Sequence, residues 1–151
     1  MSTIVVATDG SRAARAAVQR AIQEAVLRNA ALDLVSAWSA PPNGALGAPT
    51  YMSEEVVYAT RDAMAEILTE ARSEAADRGI DAETHLLAGE PAAQICRLAE
   101  ERGADLIVMG SRGHGPLAAA LIGSVAAHVV QHAHCPVMVV PDPKRAARHA
   151  A

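Results

Sequence analysis

Apolar runs alternate along this chain with longer segments in which apolar residues recur every three or four positions. Residues 3–8, 106–109 and 137–140 are continuously apolar, which is typical of strands buried on both faces of a parallel sheet. Another strand is predicted over residues 32–38. Residues 81–86 instead alternate between polar and less polar side chains, so the strand that they form is predicted to lie half exposed at an edge of the sheet.

The segments between the strands have the period of amphipathic helices. A first helix is predicted from Ser11, with Arg12, Arg15, Arg20, Gln23 and Glu24 on its polar face. Its apolar stripe consists of Ala14, Ala17, Val18, Ala21, Ile22 and Ala25. Three further helices are predicted over residues 53–79, over residues 89–103, and from about residue 124 to before residue 136, bounded by first-turn acids or proline and by terminal glycines.

Strands that alternate with helices predict an α/β fold, with a doubly wound, five-stranded parallel sheet and helices on both faces, of the Rossmann-like kind. The first and fourth strands are the most apolar and should be central, which fits the order 3-2-1-4-5. In that order successive strands are added in one direction from strand one to strand three and in the other direction from strand four onward. Ligands of open α/β sheets bind beyond the strand ends at such a switch point, here between strands one and four. The loops there, residues 9–11 and 110–115, are therefore the predicted binding site.

The second of these loops carries a glycine pattern. It reads G-S-R-G at residues 110–113, followed by nine residues and then Gly123-Ser124. Glycines at a strand exit let backbone N–H groups converge on an anion, and Gly113 is a candidate for a positive φ. Ser124 is predicted to be the N-cap of the next helix, which leaves the amides of residues 125–126 available to the same anion. The pattern indicates a phosphate site, the alternative being a turn that requires glycine for its shape alone.

The chemistry around this loop favours binding over fast catalysis. The loop lacks the GxxxxGK[ST] pattern and its lysine, so efficient nucleotide hydrolysis is not predicted. Arg112 and His114 are its cationic candidates, although Arg112 is equally compatible with an ordinary surface position. Asp9 can accept a hydrogen bond from a ribose hydroxyl or an adenine amino group, help to hold a metal between phosphates, or cap the following helix.

Length and charge limit the other classes of function. The chain has 151 residues and a formal net charge of −4, which predicts one domain and argues against nucleic acid as a partner. Residues 1–143 are assigned to this domain and residues 144–151 to a basic, alanine-rich tail that is expected to be solvated and frayed. No apolar run approaches the roughly 20 residues that span a bilayer, and the first residues lack a signal-peptide pattern, so we expect a cytoplasmic location without a membrane partner.

Cysteines and histidines give only weak indications of redox or metal chemistry. Cys96 and Cys135 form no CxxC pair and are expected to be reduced, buried and apolar in behaviour. His128 and His132 have the i,i+4 spacing of helical metal ligands, with His134 nearby, but no further ligand is evident. A zinc site is therefore not predicted.

Several stretches together carry a resemblance to a known family. They are residues 5–11 (VVATDGS), residues 104–110 (ADLIVMG) and residues 135–140 (CPVMVV), in addition to the spacing G-x2-G-x9-G-S. On these motifs the chain resembles the universal stress protein family over its whole length. The resemblance implies a small cytoplasmic α/β domain that is usually a dimer, in a family of which a subset binds ATP.

The resemblance also implies which residues contact the ligand. The Asp at the end of strand one lies beside the adenosine, the end of strand two contacts adenine through its backbone, and the glycine loop takes the ribose and phosphates. The implied nucleotide-binding residues are Ala7, Thr8, Asp9, Ala37, Met109, Gly110, Arg112, Gly113, Gly123, Ser124 and Val125. Many family members have a basic residue between the two glycine clusters, whereas residues 117–122 here read LAAALI, which makes the electrostatic support for a triphosphate thin.

The sequence is thus interpreted as an adenine nucleotide-binding protein of the stress response, with ATP as its ligand, with or without Mg²⁺. It is expected to act as a sensor or partner-binding module and to form a homodimer through the apolar edge strand Val137–Val140. Two alternatives stay open. One is a slow ATP-hydrolysing enzyme on the same fold, and the other is a module that binds cyclic AMP, or no nucleotide at all, and acts through an unknown protein partner.

Overall fold

Strands and helices alternate along the chain as the hydrophobic pattern predicts. The computed structural model describes residues 1–38, 54–113 and 122–149. In chain order the elements are β1 (Thr3–Ala7), α1 (Arg12–Arg28), β2 (Ala31–Trp38), α2 (Glu54–Ala76), β3 (Glu83–Ala88), α3 (Pro91–Glu101), β4 (Leu106–Gly110), α4 (Ser124–His132), β5 (Val137–Val140) and α5 (Pro143–His149). No helix within these described ranges is long and apolar enough to cross a bilayer.

The strands form one five-stranded sheet of order β3-β2-β1-β4-β5. Every neighbouring pair is parallel, and Ile4 of β1 is aligned with Leu32 of β2 and with Leu106 of β4. The predicted fold class and strand order are therefore confirmed. Because β1 and β4 are adjacent and parallel, their carboxyl ends lie side by side at the point where the strand order reverses.

Two apolar clusters cover the sheet, one on each face. Successive residues of β1 alternate between them, since side chains of a strand point to opposite faces: Ile4 and Val6 pack with α1 and α2, and Val5 and Ala7 pack with α3 and α4. The central strands are consequently buried on both sides, as their continuous apolar runs predict. The predicted apolar stripe of α1 is also buried along its whole length.

Glu24 departs from the sequence prediction. The helical period puts it on the polar face of α1, yet the residue is only 6% exposed. Its carboxylate accepts hydrogen bonds from Arg20 at 2.6 Å and Arg28 at 2.9 Å, one turn away on either side. The bond from Arg28 is the main reason why the pKa of Glu24 lies below its usual range. Two long arginine side chains thus cover an acid that the helical pattern alone places in solvent.

The boundaries of two other elements also differ from those expected. β3 begins at Glu83 rather than at residue 81, and the buried Ala82 packs into the core just before the strand. The tail that was expected to be frayed contains α5, whose first turn is capped by the Asp142 carboxylate accepting the backbone N–H of Lys144 at 2.9 Å. Of its basic residues, Lys144 and Arg148 are exposed as expected, whereas Arg145 is half-buried.

Candidate functional site

A cleft of about 290 Å³ opens at the carboxyl ends of the central strands, on the face covered by α3 and α4. Every residue that the sequence implied for nucleotide binding lines it. They are Ala7, Thr8 and Asp9 after β1, Ala37 in β2, Met109, Gly110, Arg112 and Gly113 at the exit of β4, and Gly123, Ser124 and Val125 at the start of α4. Ser111 of the predicted loop and Ala126, whose amide was expected to face the anion, also line it, and the lining residues that the sequence did not indicate are Ala14, Val35, Pro91 and Ile95.

The exit of β1 forms one wall of the cleft and is held tightly by β2. The backbone N–H of Thr8 donates to the carbonyl of Val35 at 2.9 Å, and the Ser36 hydroxyl donates to the carbonyl of Thr8 at 2.5 Å. The chain then turns at Gly10, whose φ of +77° favours glycine. These contacts fix the position from which the Asp9 side chain projects.

Asp9 does not cap α1, although its position allowed that role. The N-cap of α1 is Ser11, whose hydroxyl accepts the N–H of Ala14 at 3.3 Å. Asp9 instead accepts the N–H of Ser11 at 2.9 Å through one carboxylate oxygen, in a tight turn of the Asx type. This turn orients the carboxylate along the edge of the cleft, next to the glycine loop.

The glycine loop is fastened at both ends. The N–H of Ser111 donates to the carbonyl of Val140 in the neighbouring β5 at 2.8 Å, and the N–H of Gly123 donates to the carbonyl of Ser111 at 2.6 Å. The Ser11 hydroxyl also donates to the carbonyl of Arg112 at 3.4 Å. Because Gly123 is bonded to Ser111, the two glycine clusters of the sequence motif meet in space.

Two glycines of the motif are required by close contacts. A Cβ on Gly110 would lie 2.8 Å from backbone atoms of both Ala13 and Ala14, so glycine allows α1 to pack directly on β4. A Cβ on Gly113 would collide with the carboxylate of Asp9. The φ of Gly113 lies outside the left-handed region, so the suggestion of a positive φ was wrong. The missing side chain at Gly113 instead makes room for Asp9 against the loop.

The start of α4 supplies backbone donors. The N-cap is Gly123 and not Ser124, which is the first residue of the helix, and no side chain caps the helix. The first N–H groups of any helix lack a partner within it, and here they belong to residues 124–126, all of which line the cleft. With a glycine N-cap no side-chain oxygen competes for these donors. Together with the helix dipole they form an arrangement that suits an anion.

Part of the cleft lining is apolar. Val35, Ile95 and Met109 are buried there, and Pro91, at the first turn of α3, faces the same space. Sequence reasoning missed Pro91 and Ile95 because only the packing of α3 across the sheet brings them to the site. The sequence did contain one indication for Pro91. A helix that follows a strand of a parallel sheet starts at the carboxyl ends of the strands, where the cleft lies.

The charges of the cleft are few. Among its described lining residues Asp9 is the carboxylate and Arg112 is the cation. The other cationic candidate, His114, and most of the LAAALI segment lie outside the described residues. Recognition of an anion in the described part of the cleft therefore depends mainly on backbone N–H groups.

The histidines of α4 are not gathered around a metal position. The His128 and His132 rings lie 4.2 Å apart, and Nδ1 of His132 is 2.9 Å from the backbone carbonyl of His128. In the described part of the chain, the grouping with metal-ligand types is instead Asp33, Glu83 and His85, at the far end of β2 and β3.

A protein cation already bridges this second grouping. Arg102 donates to Asp33 at 3.0 Å and to Glu83 at 2.5 Å, while His85 lies 2.9 Å from the other oxygen of Asp33. Asp33 is 1% exposed, so the guanidinium supplies the positive charge that a buried carboxylate requires. The hydrogen bond to Asp33 is the main cause that raises the pKa of Arg102. The cluster is accordingly an ion network that ties α3 to β2 and β3.

Comparisons with known proteins agree with the fold and with the family resemblance. A model of the universal stress protein family matches residues 1–141. A universal stress protein of Methanocaldococcus jannaschii is 36% identical over 143 residues, which cover 94% of this chain and 83% of that protein. Among solved structures, one from Archaeoglobus fulgidus in complex with dAMP is 31% identical, with a TM-score of 0.66 and coverage of 93% and 98% of the two chains. A universal stress protein in complex with cAMP is 33% identical, with a TM-score of 0.67 and coverage of 93% and 97%. This chain belongs to the universal stress protein family.

Proposed function

We propose that this protein binds an adenine nucleotide in the cleft between the exit of β1, the glycine loop and α4. The observation that carries the proposal is that one space combines backbone donors from the start of α4 with apolar side chains from β2, β4 and α3. The first suits a phosphate and the second suits a purine ring. ATP, with or without Mg²⁺, is the proposed ligand.

Related structures support the class of ligand. Similar universal stress proteins were solved with dAMP and with cAMP, and both align over more than nine-tenths of this chain. Both ligands are adenine nucleotides with a single phosphate. A competition series of ATP, AMP and cAMP therefore belongs in the first binding experiment, since the number of phosphates is the main difference between the candidates.

The proposal assigns the protein a binding role in a stress response rather than rapid catalysis. Binding of a nucleotide would let the protein report nucleotide levels to a protein partner. The cytoplasm, which supplies ATP, is the proposed location, and the free thiols of Cys96 and Cys135 are compatible with it. The alternative of a slow ATPase predicts phosphate release in a single-turnover assay, which a pure binding module does not give.

The direct test is to identify what the purified protein carries. Denaturing the protein and analysing the supernatant by chromatography and mass spectrometry should reveal an adenine nucleotide close to one per chain. For nucleotide-free protein, Trp38 is a natural reporter because it follows Ala37 at the edge of the cleft. ATP should change its fluorescence and GTP should change it less. A flat response up to millimolar ATP would count against the proposal.

We also propose that the protein is a homodimer that pairs through β5. This apolar strand lies at one edge of the sheet, so its outer backbone groups are available to a second copy. Met138 and Val140 pack against one core cluster and Val137 against the other, whereas Val139 belongs to neither cluster. Val139 is therefore the position at which a charge should affect pairing most and folding least.

The variant Val139→Lys should convert a dimer into a folded monomer, as measured by sedimentation and circular dichroism. Thr84→Lys, at an exposed position of the opposite edge strand β3, is the matched control and should leave the dimer intact. A wild-type mass that stays monomeric at all concentrations would contradict the proposed dimer.

A further inference from the structure

The basic helix α5 begins beside the glycine loop. The N–H of Ser111, in the loop, donates to the carbonyl of Val140 at 2.8 Å, and α5 starts at Pro143. Lys144 is four residues beyond Val140, so the two Cα atoms lie at most about 14 Å apart. The helix therefore belongs to the same edge of the sheet as the candidate cleft.

An ion pair fixes the start of α5 at this edge. Asp142 accepts two hydrogen bonds from Arg12, at 3.0 and 3.2 Å, and caps α5 through its other oxygen. Arg12 is the first residue of α1 and directly follows Ser11, whose hydroxyl donates to the carbonyl of Arg112 in the loop. The start of α5, the start of α1 and the glycine loop are thus connected through consecutive contacts.

The charge of this corner opposes that of the rest of the chain. Lys144, Arg145 and Arg148 follow one another on α5, next to the Arg12–Asp142 pair, in a protein whose formal net charge is −4. Lys144 and Arg148 are exposed, on a helix that follows the carboxyl end of β5, the side of the sheet on which the cleft lies. Such a local excess attracts anions that come within about one Debye length of it.

We propose that α5 is a specificity element that favours nucleotides with a polyphosphate chain over monophosphates. The inference rests on the proposed nucleotide site. Backbone N–H groups of α4 and the loop hold one phosphate equally well in either ligand, whereas the additional negative charge of a triphosphate interacts with the cations of α5. α5 thereby supplies, from outside the loop, positive charge that the LAAALI segment does not carry.

The test compares charge reversals at the two ends of the sheet. The double variant Lys144→Glu/Arg148→Glu reverses the charge of α5. The control variant Arg72→Glu/Arg78→Glu makes the same change in net charge near the carboxyl end of α2, which lies on the side of the sheet opposite the cleft. Affinities for ATP and AMP are measured by calorimetry on full-length protein, in about 10 mM and about 150 mM salt, where the Debye length falls from about 30 to about 8 Å. Circular dichroism confirms that each variant is folded.

The α5 variant should bind ATP about fivefold more weakly than wild type in low salt, with AMP changed by less than about twofold, and the difference should shrink in high salt. The α2 variant should keep the wild-type ratio of ATP to AMP affinity. An unchanged ratio in the α5 variant, or an equal loss of both ligands, would overturn the role of α5 while leaving the nucleotide site standing. A wild-type protein that binds neither nucleotide would overturn the site and this inference together.

Discussion

Alanine substitutions at the three motif glycines should separate packing from ligand binding. The same methyl group meets different neighbours at each position. At Gly110 it lies 2.8 Å from backbone atoms of α1, at Gly113 it meets the Asp9 carboxylate, and at Gly123 its nearest neighbour is the carbonyl of Ser111 at 3.3 Å. The structure therefore predicts three different results from one chemical change.

Gly110→Ala should destabilise the fold. Ordinary contacts begin near 3.4 Å, so α1 and β4 must separate by about 0.6 Å to admit the methyl group. Overpacking of this kind costs about 1–3 kcal/mol, and the reduced entropy of the unfolded chain offsets about 0.4–1 kcal/mol of it. We expect a net loss of about 1–2 kcal/mol in urea unfolding, or roughly 3–6 °C in Tm.

Gly113→Ala should mainly reduce ligand binding. The methyl group displaces a half-buried carboxylate and strains its hydrogen bond from Ser11, worth about 1 kcal/mol, while the unfolded-state effect offsets a similar amount. Stability should therefore change by less than about 1 kcal/mol. If Asp9 holds the adenosine, ATP affinity should fall about tenfold, the effect of one charge-assisted hydrogen bond.

Gly123→Ala completes the series, with little change expected in stability and, because Gly123 lines the cleft, at most a small loss of ATP affinity. The loss of a favourable N-cap glycine and the gain from a stiffer unfolded chain are both near 0.5 kcal/mol. A folded Gly113→Ala protein with wild-type ATP affinity would refute the role given to Asp9 and the loop. A Gly110→Ala protein as stable as wild type would refute the packing argument.

Three further predictions concern the cap, the ion network and acid stability. Ser124→Ala should leave the Tm almost unchanged, because Ser124 is not the N-cap, while ATP affinity falls by up to about tenfold if its hydroxyl meets a phosphate. Arg102→Gln should lower the urea midpoint more than Arg72→Gln does, because it leaves the buried carboxylate of Asp33 without its cation. The pKa of Asp105 is lowered, chiefly by the N–H of Thr3, so its stabilisation is present above the ordinary aspartate pKa and lost as pH falls through the folded value. Asp105→Asn should accordingly flatten the loss of stability below about pH 4, as followed by thermal melts.

The topology was predictable because the most apolar runs had to be central. β1 and β4 are buried on both faces, and β3, whose residues alternate in polarity, lies at an edge as its pattern indicates. The place of the site followed from the same reasoning, since only one switch point exists in the order 3-2-1-4-5. All of the implied contact residues line one cleft, although their contact with a ligand stays a prediction.

The sequence-based predictions failed at positions whose structure depends on contacts with other parts of the chain. The exposure of Glu24 depends on whether Arg20 and Arg28 fold over it, which no helical period specifies. The N-cap was misplaced by one residue, because a Gly-Ser pair is compatible with either position as cap. The purpose of Gly113 was missed because its close neighbour, Asp9, is far away in sequence.

Whether the cleft can hydrolyse a bound nucleotide depends on the groups that it presents to the phosphates. Backbone N–H groups hold an anion but neither accept nor relay a proton, so a phosphate bound by α4 and the glycine loop is positioned without any activation of water. Among the described lining residues the carboxylate is that of Asp9, and one of its oxygens already accepts the N–H of Ser11 at 2.9 Å. A general base must reach the attacking water within hydrogen-bond distance and then take its proton. The hydrogen bond from Ser11 occupies one oxygen of Asp9, and the other oxygen lies against the glycine loop at Gly113. Because backbone donors cannot take a proton, we propose that the nucleotide acts on this protein chiefly by remaining bound, and phosphate release in a single-turnover assay would contradict this.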